Sequence, residues 1–260
     1  MENVALKTTQ IAADLAEIEQ RDCPDHGLYQ SRKTTFAGVV IWSACPRCID
    51  EEGRKNIEEQ DRKRRAASNE SIMKSAEIPP RFANRTLENY VATLPGQRAA
   101  LRIATDYANH FEDVLANGRS LIFCGTAGTG KTHLAVGIAK RVIALGRTAT
   151  FTTAMDAIRM VRETYRKNSE ITERQAIARF AQADLTIIDE VGSQLGTDAE
   201  KVTLFDLINA RYERERPMIV LSNLTIKEVE QYMGARAFDR LRENGGQAVT
   251  FTWTSYRRGA

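Results

Sequence analysis

From about residue 97 onward, short unbroken apolar runs alternate with stretches in which apolar residues return every three or four positions. RSLIFC, TATFTT, LTIIDE, MIVLSN and AVTFTW are the runs. Between them the spacing predicts helices over residues 97–115, 131–145, 155–167, 172–183 and 199–214, with shorter helices to about residue 242. In the second of these, Leu134, Ile138, Val142 and Leu145 share one face, and Gly146 supplies the C-cap. Strands that are apolar on both sides and separated by helices imply a parallel sheet covered on both faces. The expected fold is therefore α/β, with about five strands.

The first eighty residues read differently. Ile11, Leu15 and Ile18 recur at helical spacing and predict a first amphipathic helix whose apolar stripe needs a cover. From Cys23 to Cys48, turn residues surround a short β-like run, AGVVIW. Charge then dominates residues 49–75, as in an exposed helix or a flexible linker. The paired prolines of IPPRF (78–82) stop a helix and hold an extended turn. The expected organisation is a small N-terminal module over residues 1–52, a charged linker or helix over 53–77, and the α/β domain over 78–260.

Charged residues make up 27% of the chain and hydrophobic ones 42%, with a formal net charge of +3. No apolar run reaches the roughly 20 residues that span a bilayer, so a membrane-embedded protein is excluded. The first residues, MENVALKTTQIAADLAEIEQ, lack the basic start and apolar stretch of a signal peptide. A reducing cytoplasm is expected, and disulfides are disfavoured. So mild a net charge does not announce a nucleic-acid binder. Basic residues nevertheless gather at 54–65, at 159–167 and in the tail YRRGA, each of which is also compatible with a solvated face.

The chemistry concentrates in GTAGTGKT, which fits G-x-x-x-x-G-K-[ST] between a buried strand and an amphipathic helix. Its residues Gly125, Thr126, Ala127, Gly128, Thr129 and Gly130 can wrap backbone N–H groups around a phosphate, at the positive end of the following helix. Lys131 would reach the β- and γ-phosphates, Thr132 would hold Mg²⁺, and His133 follows in the same nucleotide-binding stretch. The strand LTIIDE delivers Asp189 and Glu190 to the carboxyl edge of the sheet, where open α/β sheets bind ligands. Asp189 suits Mg²⁺, and Glu190 suits the orientation or deprotonation of an attacking water, so the expected activity is ATP hydrolysis. Asn223, ending MIVLSN, suits a polar sensor of the γ-phosphate, or else a turn. Farther on, Arg236, Arg240 and Arg242 are available to a neighbouring copy's site.

C-P-D-H (23–26) and C-P-R-C (45–48) form C-x₂-H-x₁₈-C-x₂-C, the pattern of a structural zinc site. Cys23, His26, Cys45 and Cys48 would complete the tetrahedron and leave no open position for catalysis. A redox dithiol in CPRC would need no second pair. Cys124, in the apolar strand before the glycine loop, reads as core packing, and His110 and His133 read as helix residues rather than metal ligands.

Taken together, TAGTGKT, LTIIDE, VLSN, RAFDRL and the ending TFTWTSYR resemble the DnaC-type helicase loaders, AAA+ ATPases related to bacterial initiators and to IstB transposition helpers. The resemblance covers roughly residues 78–258, with IPPRFANRTLENY as lead-in. On it, Arg240 matches the family's arginine finger, with Arg236 as the nearby alternative, and Arg257 matches its second sensor arginine. Only seven residues follow Trp253, so no helical lid is expected, as elsewhere in the family, and Arg257 lacks that support. The resemblance implies an N-terminal part that grips a DnaB-type replicative helicase, and ATPase domains that self-associate and bind single-stranded DNA. MVRETYRKN (160–168) corresponds roughly to the family's insertion helix. Arg162, Arg166 and Lys167 could meet phosphates there and Tyr165 could stack on a base, or the tyrosine could be buried and the arginines simply solvated. The alternatives are an IstB-like transposition helper acting on duplex DNA, and a zinc adaptor that binds nucleotide without turnover.

Overall fold

The computed structural model describes residues 17–36, 39–193 and 197–256. Contacts divide the chain at Arg64 and Arg65 into two compact units. The first holds three antiparallel strands, β1 (Ile18–Cys23), β2 (Gly27–Phe36) and β3 (Val39–Trp42), in the order β1-β2-β3. They are followed by a long helix, α1 (Pro46–Ser75), which begins in this unit and ends in the second. The charged stretch is thus helical, and the division falls within it, ahead of the prolines. Ile18 opens a strand paired with Arg32 of β2, so cross-strand pairing overrides the helical spacing there, while Ile11 and Leu15 lie outside the described residues.

In the second unit the last turn of α1 packs Ile72 and Met73 against the core, Ala76 just after it is buried, and a 3₁₀ turn follows at Pro80–Phe82. Then come α2 (Pro95–Asn109), α3 (Phe111–Ala116), β4 (Leu121–Gly125), α4 (Lys131–Ala144), β5 (Ala149–Thr153), α5 (Ala154–Glu163), α6 (Glu173–Phe180) and β6 (Leu185–Asp189). The remainder is α7 (Asp198–Tyr212), β7 (Met218–Ser222), α8 (Ile226–Met233), α9 (Ala235–Arg242) and β8 (Gln247–Phe251). The five strands form one parallel sheet in the order β5-β6-β7-β4-β8. The predicted five-stranded α/β core is therefore present.

Both faces of the sheet are covered. Phe123, Ile187, Ile219 and Leu221 pack on one side with α2 and α4, and Ile122, Ile188 and Val220 on the other with α5, α7 and α9. Leu134, Ile138 and Val142 of α4 are fully buried, whereas Leu145 follows the helix and is half exposed. The expected helix over 97–115 is broken at His110, the cap between α2 and α3. Helices α5 to α8 each start behind a threonine, Thr153, Thr172, Thr197 and Thr225, whose hydroxyl accepts an N–H of the first turn. Such caps contribute about 1 kcal/mol each and fix where strand gives way to helix. No described helix is long and apolar enough to cross a membrane.

Candidate nucleotide site and candidate metal centre

The glycine loop leaves β4 and enters α4 through three residues with positive φ: Gly125 (122°), Gly128 (78°) and Gly130 (97°). A Cβ on Gly130 would stand 2.6 Å from the Tyr90 ring, and one on Gly125 would stand 2.4 Å from the Phe251 carbonyl oxygen. These positions need glycine on both conformational and steric grounds. The loop is also tied from outside: the Trp253 indole N–H and the Tyr90 hydroxyl both donate to the Thr129 carbonyl, at 2.9 and 3.3 Å, and the Tyr256 amide donates to Gly128 at 2.9 Å. Lys131, nearly buried, donates through Nζ to the carbonyls of Gly125 and Thr126 at 2.7 and 2.8 Å.

Across from the loop, the Thr132 hydroxyl donates to Asp189 Oδ2 at 3.0 Å, joining the two expected Mg²⁺-holding residues. Burial pushes the Asp189 carboxyl above its usual range, while the Glu190 amide, Thr132, Lys131 and Arg81 pull it back part-way. Glu190 adopts a left-handed backbone conformation, φ 62°, uncommon for a residue with a side chain. Its own amide donates to Asp189 Oδ1 at 2.7 Å, and its carbonyl accepts from the amide and hydroxyl of Ser193 at 3.1 and 2.7 Å. Backbone strain held in place this way collects at functional sites. Asn223 follows β7, whose last residue, Ser222, donates to the Val191 carbonyl at 2.6 Å and so ties the two strand ends together.

A cavity of about 350 Å³ joins Ala127, Gly128, Gly130, Lys131, Thr132, His133, Asp189, Glu190 and Asn223. The remaining wall was not foreseen. It consists of Arg81, Phe82, Arg85, Asn89, Tyr90 and Val91 from the lead-in, with Tyr256 near the other end of the unit. His133 Nε2 bonds the Thr86 carbonyl and Asn89 Oδ1, both at 2.8 Å, so this histidine fastens the lead-in to α4. Cys124 is fully buried in β4, with burial raising its thiol.

The other expected residues lie elsewhere. The Arg240 guanidinium, on α9, sits over the Phe205 and Tyr212 rings, 4.8 and 5.1 Å from their centroids. Arg236 is exposed on the same helix, and neither arginine lines the cavity. Arg257 lies outside the described residues. Arg162, in the last turn of α5, forms an ion pair with the nearly buried Glu200, 3.3 Å away. Tyr165, Arg166 and Lys167 are exposed on the turn after α5 rather than on a helix, with the Tyr165 hydroxyl donating to Glu173 at 3.1 Å.

In the first unit, Cys23 closes β1, His26 stands in the hairpin turn, Cys45 precedes α1 and Cys48 lies in its first turn. Their ligand atoms all lie within 4.8 Å of one another, with Cys23 Sγ to Cys48 Sγ at 3.4 Å and Cys48 Sγ to His26 Nδ1 at 3.3 Å. All three thiols are free. The 3.3 and 3.4 Å separations match the edges of a tetrahedron with bonds of roughly 2.0–2.3 Å, and the three thiols and one imidazole suit a four-coordinate metal. The Asp25 amide and the His26 ring draw Cys23 down to about 7, and Cys23 in turn pushes Cys48 up to about 12, a conflict that a divalent cation removes. Glu51 carries no motif of its own in the sequence, yet its Oε1 is 3.0 Å from His26 Nε2, the position of the carboxylate that orients a metal-bound imidazole. Its place one turn past Cys48 on α1 was the available signal.

The strand register also sorts the module's two faces. Cys23 and the buried Ser31 lie on one, and Ile18, Leu28, Phe36, Val39 and Ile41 lie on the other, all more than half exposed.

Residues 54–257 match the sequence model of a family described as IstB-like ATP binding protein. The chain belongs to this family. Its phosphate loop and paired acids are those of a P-loop ATPase of the AAA+ type. It is 33% identical to the replicative helicase loader DnaC of Escherichia coli K12 over 197 residues, 76% of this chain and 79% of that protein. The replicative helicase loader DnaC of Buchnera aphidicola subsp. Baizongia pistaciae is 31% identical over 208 residues, 80% of this chain and 83% of the relative. Among solved structures, a DnaC helicase loader superposes with a TM-score of 0.59 at 20% identity, covering 66% of this chain and 99% of that one. DnaI superposes at 0.56 and 16% identity, covering 69% of this chain and 94% of that one. At these identities the two structures establish the shared fold.

Proposed function

We propose that this ATPase loads a replicative DNA helicase of the DnaB type during the initiation of DNA replication, in the cytoplasm. The observation that carries the reading is the match to DnaC over most of both chains, together with a complete phosphate loop. In this reading Lys131 and the loop amides bind the phosphates of ATP, and Thr132 and Asp189 hold Mg²⁺, which supplies charge neutralisation on the phosphates. Glu190 orients or deprotonates the attacking water, and Asn223 senses the terminal phosphate from the next strand end. Arg240 serves a neighbouring copy, which agrees with its distance from its own cavity and requires self-association. Cys23, His26, Cys45 and Cys48 hold zinc, which folds the N-terminal module and takes no part in hydrolysis.

The helicase docks on that module, for which the exposed apolar face of Leu28, Phe36, Val39 and Ile41 is suited. Single-stranded DNA passes the turn bearing Tyr165, Arg166 and Lys167, whose exposed aromatic and cations suit stacking and phosphate contact. Arg162, already paired with Glu200, supports that turn more directly than it could support DNA.

A pull-down with purified replicative helicase, using the wild-type chain and the Cys45→Ser variant, tests the reading. Retention by the wild type and loss by the variant are expected. The IstB-like family match also suits a second reading, an IstB-like transposition helper acting on duplex DNA. A chain that ignores helicase while binding duplex DNA and a transposase would establish that reading and remove the first. ATP hydrolysis that persists through both Lys131→Ala and Glu190→Gln would defeat the assignment of the site itself.

A further inference from the structure

The segment ahead of the ATPase core brings two arginines into the nucleotide cavity, and they act on different ends of it. Arg81 and Arg85 both line the wall. Phe82, next to Arg81, packs against Phe151 of β5, the strand whose last residue, Thr153, pairs with Asp189, whereas the Thr86 carbonyl, next to Arg85, bonds His133. Of the two lining arginines, Arg81 therefore belongs to the Asp189 side of the cavity and Arg85 to the Tyr90 and His133 side.

The backbone around Arg81 is fixed. Pro79 and Pro80 set its approach, the Phe82 amide donates to the Pro79 carbonyl at 2.8 Å, and the Ala83 amide donates to Pro80 at 3.0 Å. Phe82 packs against the core, its ring 6.3 Å from that of Phe151, and the Arg81 guanidinium lies over Phe82, 4.6 Å from the ring centroid. Among the described residues no carboxylate forms an ion pair with Arg81. At the acidic end of the cavity Asp189 and Glu190 both repel a phosphate, and Lys131 already shares its ammonium between two carbonyls. A further cation on the wall there answers a charge that a nucleoside triphosphate has and a diphosphate lacks.

We propose that Arg81 contacts the terminal phosphate of a nucleoside triphosphate bound to its own chain, and that this contact makes the cavity prefer triphosphate to diphosphate. The proposal rests on the nucleotide-binding reading of the glycine loop. It gives a role to IPPRF beyond stopping a helix, since the two prolines then aim a ligand-binding side chain. Arg85, facing the other end, contributes equally to both nucleotides or to neither.

The test measures ATP and ADP affinity by calorimetric titration with Mg²⁺, on the full chain and on Arg81→Gln and Arg85→Gln variants. Loss of a charge-assisted hydrogen bond predicts that Arg81→Gln weakens ATP roughly tenfold or more and leaves ADP within about twofold. Arg85→Gln is expected to change both by the same factor. Equal losses for ATP and ADP in Arg81→Gln, no loss in either, or an ATP-selective loss in Arg85→Gln instead, would overturn the proposal while leaving nucleotide binding intact. A wild-type chain that binds neither nucleotide would remove the underlying reading as well.

Discussion

The two units of this chain reach order by opposite means. Among the described residues of the first unit only Cys23, Ser31 and Cys45 are buried, and two of these three belong to the metal-ligand set. The second unit buries whole strands, with Phe123, Ile187, Ile188, Val220 and Leu221 at or near zero exposure. A buried aliphatic side chain contributes about 1.5–3 kcal/mol, whereas a structural zinc contributes about 10 kcal/mol or more. With zinc at the proposed site, the module's fold becomes a property of four side chains, whereas the ATPase fold is a property of many.

The strongest way to break this contrast is to disable the proposed metal site. Chelation, or Cys48→Ser, should abolish amide protection across β1 to β3 and leave the thermal transition and ATP hydrolysis of the second unit unchanged, as read by hydrogen exchange and calorimetry. Loss of both together would mean that the units do not fold independently.

Next in size is Lys131→Ala, expected to lower ATP hydrolysis roughly 10²–10³-fold by removing the charge proposed to meet the phosphates. Metal content, measured by a colorimetric release assay, should stay the same. Glu51→Gln should weaken metal binding by roughly 10–100-fold through loss of the carboxylate that orients His26, with no effect on hydrolysis. Competition with a chelator of known affinity would read this, and an unchanged affinity would make the His26–Glu51 contact incidental.

The smallest effect concerns acid. Asp184 accepts from the Thr148 amide and hydroxyl, both at 2.9 Å, and pairs with Arg216. Burial raises its carboxyl, but Thr148, Arg216 and Arg147 more than reverse this, so its folded-state value lies below that of the unfolded chain. Its stabilisation is complete above the ordinary carboxylate value of about 3.9 and is lost as pH falls through the folded-state value. Asp184→Asn should therefore flatten the acid limb of the second unit's stability curve, and an unchanged limb would assign acid unfolding to other groups.

Legibility in the sequence follows the same division. The sheet could be read because a parallel strand buried on both faces must be apolar throughout, and the phosphate loop because its chemistry is local and contiguous. The clustering of Cys23, His26, Cys45 and Cys48 was legible from spacing alone. What escaped depends on contacts between distant segments. Tyr90 and Trp253 meet on one carbonyl of the loop, and Arg81, from far upstream, lines the same cavity as Asp189, with no pattern within either segment to announce it. Arg211 is fully buried, donating to the carbonyls of Phe180, Asp184 and Pro217, yet it looks in the sequence like any helix arginine. Ile18 was misread because helical spacing over three residues cannot compete with a ten-residue partner strand.

The double acceptance at the Thr129 carbonyl sets how the loop behaves before any substrate arrives. An unanchored turn rich in glycine would sample many shapes, and capture of an anion would have to freeze them. With an indole and a phenol already clamping its outer rim, most of that freezing is complete in the fold itself, and phosphate meets a cradle of settled shape. The clamp's two jaws come from opposite sides of the ATPase core in sequence, one before β4 and one after β8. Any motion that slides the lead-in or the closing strand is therefore felt first where the phosphates sit.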